Sequence, residues 1–182
     1  MNEIEALRAQ VGLERRHMAA VKNALAAVLA SHPDESAAPF CARCCDYLLY
    51  IMRRFNAQDQ AHVDTLLPRL PADAEADRRL LVDLGRTLEL NRAALDALAK
   101  ARASLGAGGP AADFFAACGR YVAFYDAELR TRAHGFYHLM EAHYRVAEWR
   151  KVSMVNADSI LEERRLFAAA REAAPASAMI AP

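Results

Sequence analysis

Apolar residues recur along this chain every three or four positions, the spacing that lines one side of an α-helix. A first stripe holds Ile4, Leu7, Val11, Met18, Val21, Leu25 and Val28. It predicts a helix from about Glu3 to Leu29, opened by the capping-box pair Asn2 and Glu5 and stopped at His32-Pro33. A second stripe, Phe40, Cys44, Leu48, Ile51 and Phe55 followed by Gln58, His62 and Leu66, starts near Pro39 and ends before Pro68. The third runs through Leu80, Leu84, Leu88, Asn91, Leu95 and Leu98, from Pro71 and Asp73 to Leu105, where Gly106-Ala107-Gly108-Gly109-Pro110 breaks the chain. The fourth, Phe114, Cys118, Tyr121, Tyr125, Glu128, Arg132, Phe136, Leu139 and Val146, predicts one long helix from about Ala112 to Trp149. Ser159 with Glu162 opens a shorter fifth helix ending near Arg171, and the Ala/Pro-rich remainder is expected to fray. The expected fold is therefore all-α: an up-and-down antiparallel four-helix bundle with a short fifth C-terminal helix, as one domain over residues 1–172 with a flexible tail over 173–182.

Gln58, His62, Asn91, Glu128 and Arg132 stand on these otherwise apolar stripes. Burying such groups is costly unless each finds a partner, so the pattern predicts a polar cluster inside the bundle. Bundle cores build metal sites from pairs spaced i, i+3 or i, i+4 on facing helices. Gln58 with His62, and Glu128 with Arg132, have that spacing.

Charge narrows the choice of partners. Lys plus Arg and Asp plus Glu number 23 each, which leaves no basic field to collect nucleic acid or an anionic membrane surface. No run approaches the ~18 apolar residues of a membrane span, and Met1-Asn2-Glu3-Ile4-Glu5 lacks a cationic start before an apolar stretch. A cytoplasmic protein is expected. The cysteines, three of them within Cys41-Ala42-Arg43-Cys44-Cys45, do not form the framework of a small secreted domain, and reduced thiols are expected.

Leu7-Arg8-Ala9-Gln10-Val11, the Gln58/His62 pair ahead of Leu66-Leu67-Pro68-Arg69-Leu70, the Glu148-Trp149 pair and Asn156-Ala157-Asp158-Ser159-Ile160-Leu161 carry a family resemblance. With them the chain resembles the bacterial hemerythrin-like, or HHE cation-binding, proteins, whose bundle holds two non-haem irons. The resemblance runs from the first helix into the fifth. It implies that Val11, Gln58, Asn91 and Glu128 stand where the family has ligand histidines, with Thr87 the alternative to Asn91, and that His62 and Arg132 stand where it has glutamates. Every ligand position is thus changed. Val11 offers no donor, and Arg132 brings a fixed positive charge to the place of a bridging carboxylate, where dications are repelled. What the resemblance implies is a hemerythrin-like domain that has lost its diiron centre and needs no cofactor. Arg132 then replaces the cation, paired with Glu128 one turn away. Such a domain acts as a non-enzymatic binding or interaction module for a protein partner or small ligand, with a homodimer as one arrangement. The competing expectation keeps non-haem iron on His62 and Glu128 with a third donor such as His17, for oxygen or nitric-oxide sensing, storage or repair. His17 lies six residues beyond Val11, so it points elsewhere around the helix, and an ordinary boundary histidine is the plainer reading.

Two further groups have chemical spacing. Cys41, Cys44 and Cys45 open the second helix, where the helix dipole favours a thiolate, yet Cys44 falls on the core stripe and no partner pair completes a zinc site. Small packing residues are expected there. His134 and His138, with Glu141 nearby, share a face turned away from the fourth stripe and read as a solvent-exposed pair. No phosphate loop, nucleophile elbow or nucleophile–base pair points to an enzyme.

Overall fold

Ala, Leu, Arg and Glu lose little side-chain freedom in a helix, and the chain they dominate folds accordingly. The computed structural model describes residues 3–130 and 135–180, and no strand occurs among them. The α-helices are α1 Glu3–Ala30, α2 Ala38–Leu66, α3 Glu75–Gly106, α4 Ala111–Phe124, α5 Tyr137–His143, α6 Val146–Ser153 and α7 Ala157–Glu172. Asn2 of the expected first cap lies outside the described residues. α3 starts later than Pro71 because residues 71–74 first close a turn, in which the Ala74 N–H donates to the Pro71 carbonyl at 3.1 Å. At its end Gly108 adopts φ +86°, and a Cβ on Gly109 would lie 2.8 Å from the Ser104 carbonyl oxygen, so both glycines are required by the turn. Among the described residues no helix is long and apolar enough to cross a membrane.

Cross-helix pairs show how the long helices run. Asp46 meets Arg102, Arg53 meets Asp96 and Asn56 meets Asn91, so α2 and α3 are antiparallel. Tyr121 reaches Asn91, and Leu80 lies against Gly135, which gives the same sense to α3 and the chain that follows α4. α2 sits centrally, against α1, α3, α4 and α7, and its whole predicted stripe from Phe40 to Leu66 is buried.

The expected fourth helix is not continuous. α4 passes at Tyr125 into a π-helical turn, Tyr125–Leu129, and the chain is next described as a turn at Gly135-Phe136, followed by two short helices. Glycine is a poor interior helix residue, and Gly135 also admits close approach of α3: a Cβ there would meet Leu80 at 3.2 Å. Tyr144 and Arg145 are extended and separate α5 from α6, with the Arg145 N–H capped by Glu148 at 3.0 Å. Register is lost across these breaks, and Val146, expected in the core, is 45% exposed. α7 opens at Asn156, not at the Ser159/Glu162 pair: Asn156 Oδ1 accepts from the Ser159 N–H at 2.8 Å, and the Asn156 N–H donates to Ser159 Oγ at 2.9 Å. Where a frayed tail was expected from residue 173, Ala178 and Ile180 are buried and the 3-10 turn Ala176–Ala178 packs on α1. Apolar contact outweighs the poor helix signal of that stretch.

A charged cluster joins α1, α2 and α7 inside this core. Glu14 and Glu163 are both fully buried. Glu14 accepts from Arg54 and, at 3.0 Å, from Gln10 Nε2. Glu163 accepts from the Tyr47 hydroxyl at 2.8 Å and meets His17 Nδ1 at 2.9 Å, while the His17 ring stacks on Phe167 at 3.8 Å between centroids. Burial pushes the Glu14 carboxyl above its ordinary range against the pull of Gln10 and Arg54, and the nearby Glu163 adds to that push. Removing one partner of a buried ion pair leaves an uncompensated charge, and Arg54→Ala is expected to cost about 3–5 kcal/mol. The joint replacement Glu14→Leu with Arg54→Met should cost much less. Urea unfolding of both variants checks this, and equal losses would remove the pair from the interior.

Candidate functional site

Where α1, α2, α5 and α6 meet, the side chains line a half-open cavity of about 300 Å³. That is the lower end of the size of small-molecule sites, roughly 300–1,000 Å³. Leu7, Val11, Phe136, Met140, Trp149 and Val152 supply apolar walls. Arg8, Arg15, Gln58, Asp59 and His62 supply the polar ones, with Tyr137 and Glu141 also lining the space.

The helical register explains this convergence. Leu7, Arg8, Val11, Gly12 and Arg15 follow one face of α1, and Gln58, Asp59 and His62 one face of α2. α6 brings Trp149 to α1, where the Arg8 guanidinium lies 4.5 Å from the indole centroid. Tyr144, freed by the break between α5 and α6, places its hydroxyl 2.9 Å from His62 Nδ1. Phe136 also packs on the imidazole, 5.3 Å between centroids with the rings tilted by 51°. Gln58 Nε2 donates to the Ser153 carbonyl at 2.9 Å. Arg15 reaches Asp59 at 3.4 Å and lies over the Phe55 ring at 4.7 Å.

Burial, with Arg15's charge adding to it, pulls His62 down to about 4, so the imidazole is neutral at physiological pH. Burial pushes Asp59 up to about 6 against the pull of Arg15. Burial also raises Tyr144 to about 12, which keeps its hydroxyl protonated.

The candidate ligand positions separate. Val11, Gln58 and His62 share the cavity. Asn91 does not line it. It is fully buried elsewhere, donating to Asn56 Oδ1 at 2.8 Å and accepting from the Tyr121 hydroxyl at 3.3 Å. Thr87, its alternative, donates back to the Asp83 carbonyl at 3.0 Å. Glu128 is half-buried in the π-helical turn and does not line the cavity. Arg132 and His134 lie outside the described residues. His17 is more than a boundary residue, being bound to the buried Glu163. His138 is exposed and meets Asp77 at 3.0 Å. Among the described residues no group of three or more His, Cys, Asp or Glu side chains is arranged to hold a metal ion.

All four cysteines are buried. Burial pushes the Cys41 thiol up to about 11 and raises Cys44 as well. Cys118 is raised chiefly by its hydrogen bond with Cys45. These shifts oppose the helix-dipole effect and fit packing residues.

Arg8, Arg15 and Asp59 were not legible as site residues from the stripes, because they flank the core positions. Glu14 had a signal: it fills the place between Val11 and Met18 where the first stripe skips a turn. Glu163 likewise precedes Phe167 and Ala170 on the buried face of α7. No family model, curated protein or solved structure matches the chain.

Opposed pH dependences follow from the two shifted groups. His62 binds its proton less readily when folded, so it lowers stability as pH falls from 6.5 toward about 4. Asp59 binds its proton more readily when folded, so it lowers stability as pH rises from 3.8 toward about 6. Relative to the parent, Asp59→Asn should therefore gain up to about 3 kcal/mol between pH 4 and pH 7. Urea midpoints measured across that range check the sign, and a constant difference would place Asp59 in contact with water.

Proposed function

We propose that this protein is a hemerythrin-like helical bundle that has lost its diiron site and serves as a non-enzymatic binding module, with the cavity between α1, α2, α5 and α6 as its small-ligand site. One observation carries the reading: Val11, Gln58 and His62, which the family resemblance places at iron-ligand positions, come together on a single cavity. The antiparallel runs of α2 against α3, and of α3 against the chain after α4, support an up-and-down bundle, with α7 docked on it through Glu163.

The donor set speaks against two irons. Val11 has nothing to donate, and Asn91 lies off the cavity, committed to Asn56 and Tyr121. His62 Nδ1 is taken up by Tyr144, and the Arg15 guanidinium lies close enough to His62 to act on its protonation. Bridging dications require carboxylates at such a place, not a fixed cation.

Elemental analysis of tag-free protein grown with added iron and zinc, together with a visible spectrum, is expected to give substoichiometric metal and no oxo-bridge absorption. Saturable quenching of Trp149 by isocoumarin, a neutral bicyclic probe, is the expected positive result. A full diiron complement overturns the reading. A single stoichiometric ion lost on His62→Ala or Glu128→Ala selects the iron-dependent alternative.

A further inference from the structure

Charge divides this cavity into an interior and a mouth. Inside, the charges are compensated: Arg15 meets Asp59 at 3.4 Å, and burial keeps the His62 imidazole neutral. Leu7, Val11, Phe136 and Met140 make much of the remaining wall apolar. The mouth differs. Arg8 lines the cavity yet is exposed, and its guanidinium lies over the Trp149 indole, 4.5 Å from the centroid. An aromatic face attracts a cation but offers no lone pair to its N–H groups. Arg8 has no carboxylate or carbonyl partner among the described residues, so its planar fork of donors is held at the opening and left to solvent.

We propose that the cavity binds an apolar monocarboxylate, a medium-chain fatty acid in chemical class, with its carboxylate on the Arg8 guanidinium at the mouth and its hydrocarbon body inside. This inference rests on the cavity being a ligand site and names the chemical class it takes. Guanidinium and carboxylate match in plane and pair through two N–H donors, and a guanidinium is weakly hydrated, so little is lost when the two meet at a half-open mouth. The chain gains by leaving water for walls of its own polarity, and the volume admits one the size of octanoate's. A second charge further along the ligand would enter the interior unpaired, at a large cost. Glu141 also lines the cavity and is exposed, and alone it would favour an ammonium head. Arg8 is the stronger anchor. The indole fixes its place, whereas no hydrogen bond or ion pair holds Glu141 among the described residues, and an ammonium is strongly hydrated.

Octanoate, octanamide and octylammonium share a chain length and differ in the head. Calorimetric titration of the full chain gives affinities, and the emission of Trp149, the single tryptophan in the sequence, reports whether binding is at the cavity. Octanoate is expected to bind at least about fivefold more tightly than octanamide, with octylammonium weakest. Butanoate, with the same head on a shorter chain, should bind at least about tenfold more weakly than octanoate. Arg8→Gln, a change at an exposed position that spares the core, should bring octanoate down to the affinity of octanamide. Octanamide equal to octanoate, a preference that survives Arg8→Gln, or octylammonium as the tightest ligand overturns the carboxylate class while leaving a binding cavity in place. Silence toward all the octyl probes while isocoumarin still quenches Trp149 overturns it in the same way. If isocoumarin fails as well, the binding-module reading falls with it.

Discussion

Arg54 reaches from α2 toward a space where Glu14 of α1 and Glu163 of α7 otherwise face one another in a medium too dry to screen them. Its guanidinium bonds Glu14, leaving Glu163 to Tyr47 and His17. Three helices are held by these contacts, and none of the charged groups can slide by a turn without losing its partner. Apolar stripes specify which side of each helix faces inward, but they tolerate alternative registers. A buried charge network discriminates between registers more sharply, since a misplaced carboxylate inside the core carries the full penalty of desolvation. The docking of α7, and of the turn after it that buries Ala178 and Ile180, depends on that anchorage.

The interruption of the fourth stripe has a constructive role. A straight helix from residue 112 to 149 would carry Trp149 about 42 Å beyond Tyr121 along a single axis. The turn at Gly135-Phe136 and the extended Tyr144-Arg145 pair instead redirect the chain. Trp149 then meets Arg8, and Tyr144 meets His62. The cavity is a product of this redirection, walled on one side by two short helices where one long helix was expected. Short helices have few internal hydrogen bonds, so their placement relies on side chains such as Tyr144 and on the Arg69–Glu148 contact at 3.0 Å.

The long helices were legible because proline, glycine and period-3.6 patterning agree with one another along residues 3–106. The breaks after α4 were not, because a helical stripe continues in the sequence through Tyr125, Glu128 and Phe136 and local propensity there does not oppose it strongly. Close approach of Leu80 to Gly135 is a tertiary fact that no local pattern encodes. In the site, Gln58 and His62 were legible as polar interruptions of a buried stripe. Arg15 and Asp59 were not, since a charged residue beside a stripe normally points to solvent. Asn91 was recognised as buried but misassigned in its company, because spacing along one helix says nothing about which neighbour, Asn56 or the cavity, it faces.

The four thiols, Cys41, Cys44, Cys45 and Cys118, lie buried where α2 meets α4. With no thiol at the surface and burial or hydrogen bonding holding three of them protonated, alkylating reagents must wait for the helices to part. The sulfur atoms are in effect a built-in clock for the opening of this interior. The pace of their labelling in native buffer measures how often α2 and α4 separate, at a point remote from the cavity and without any engineered reporter.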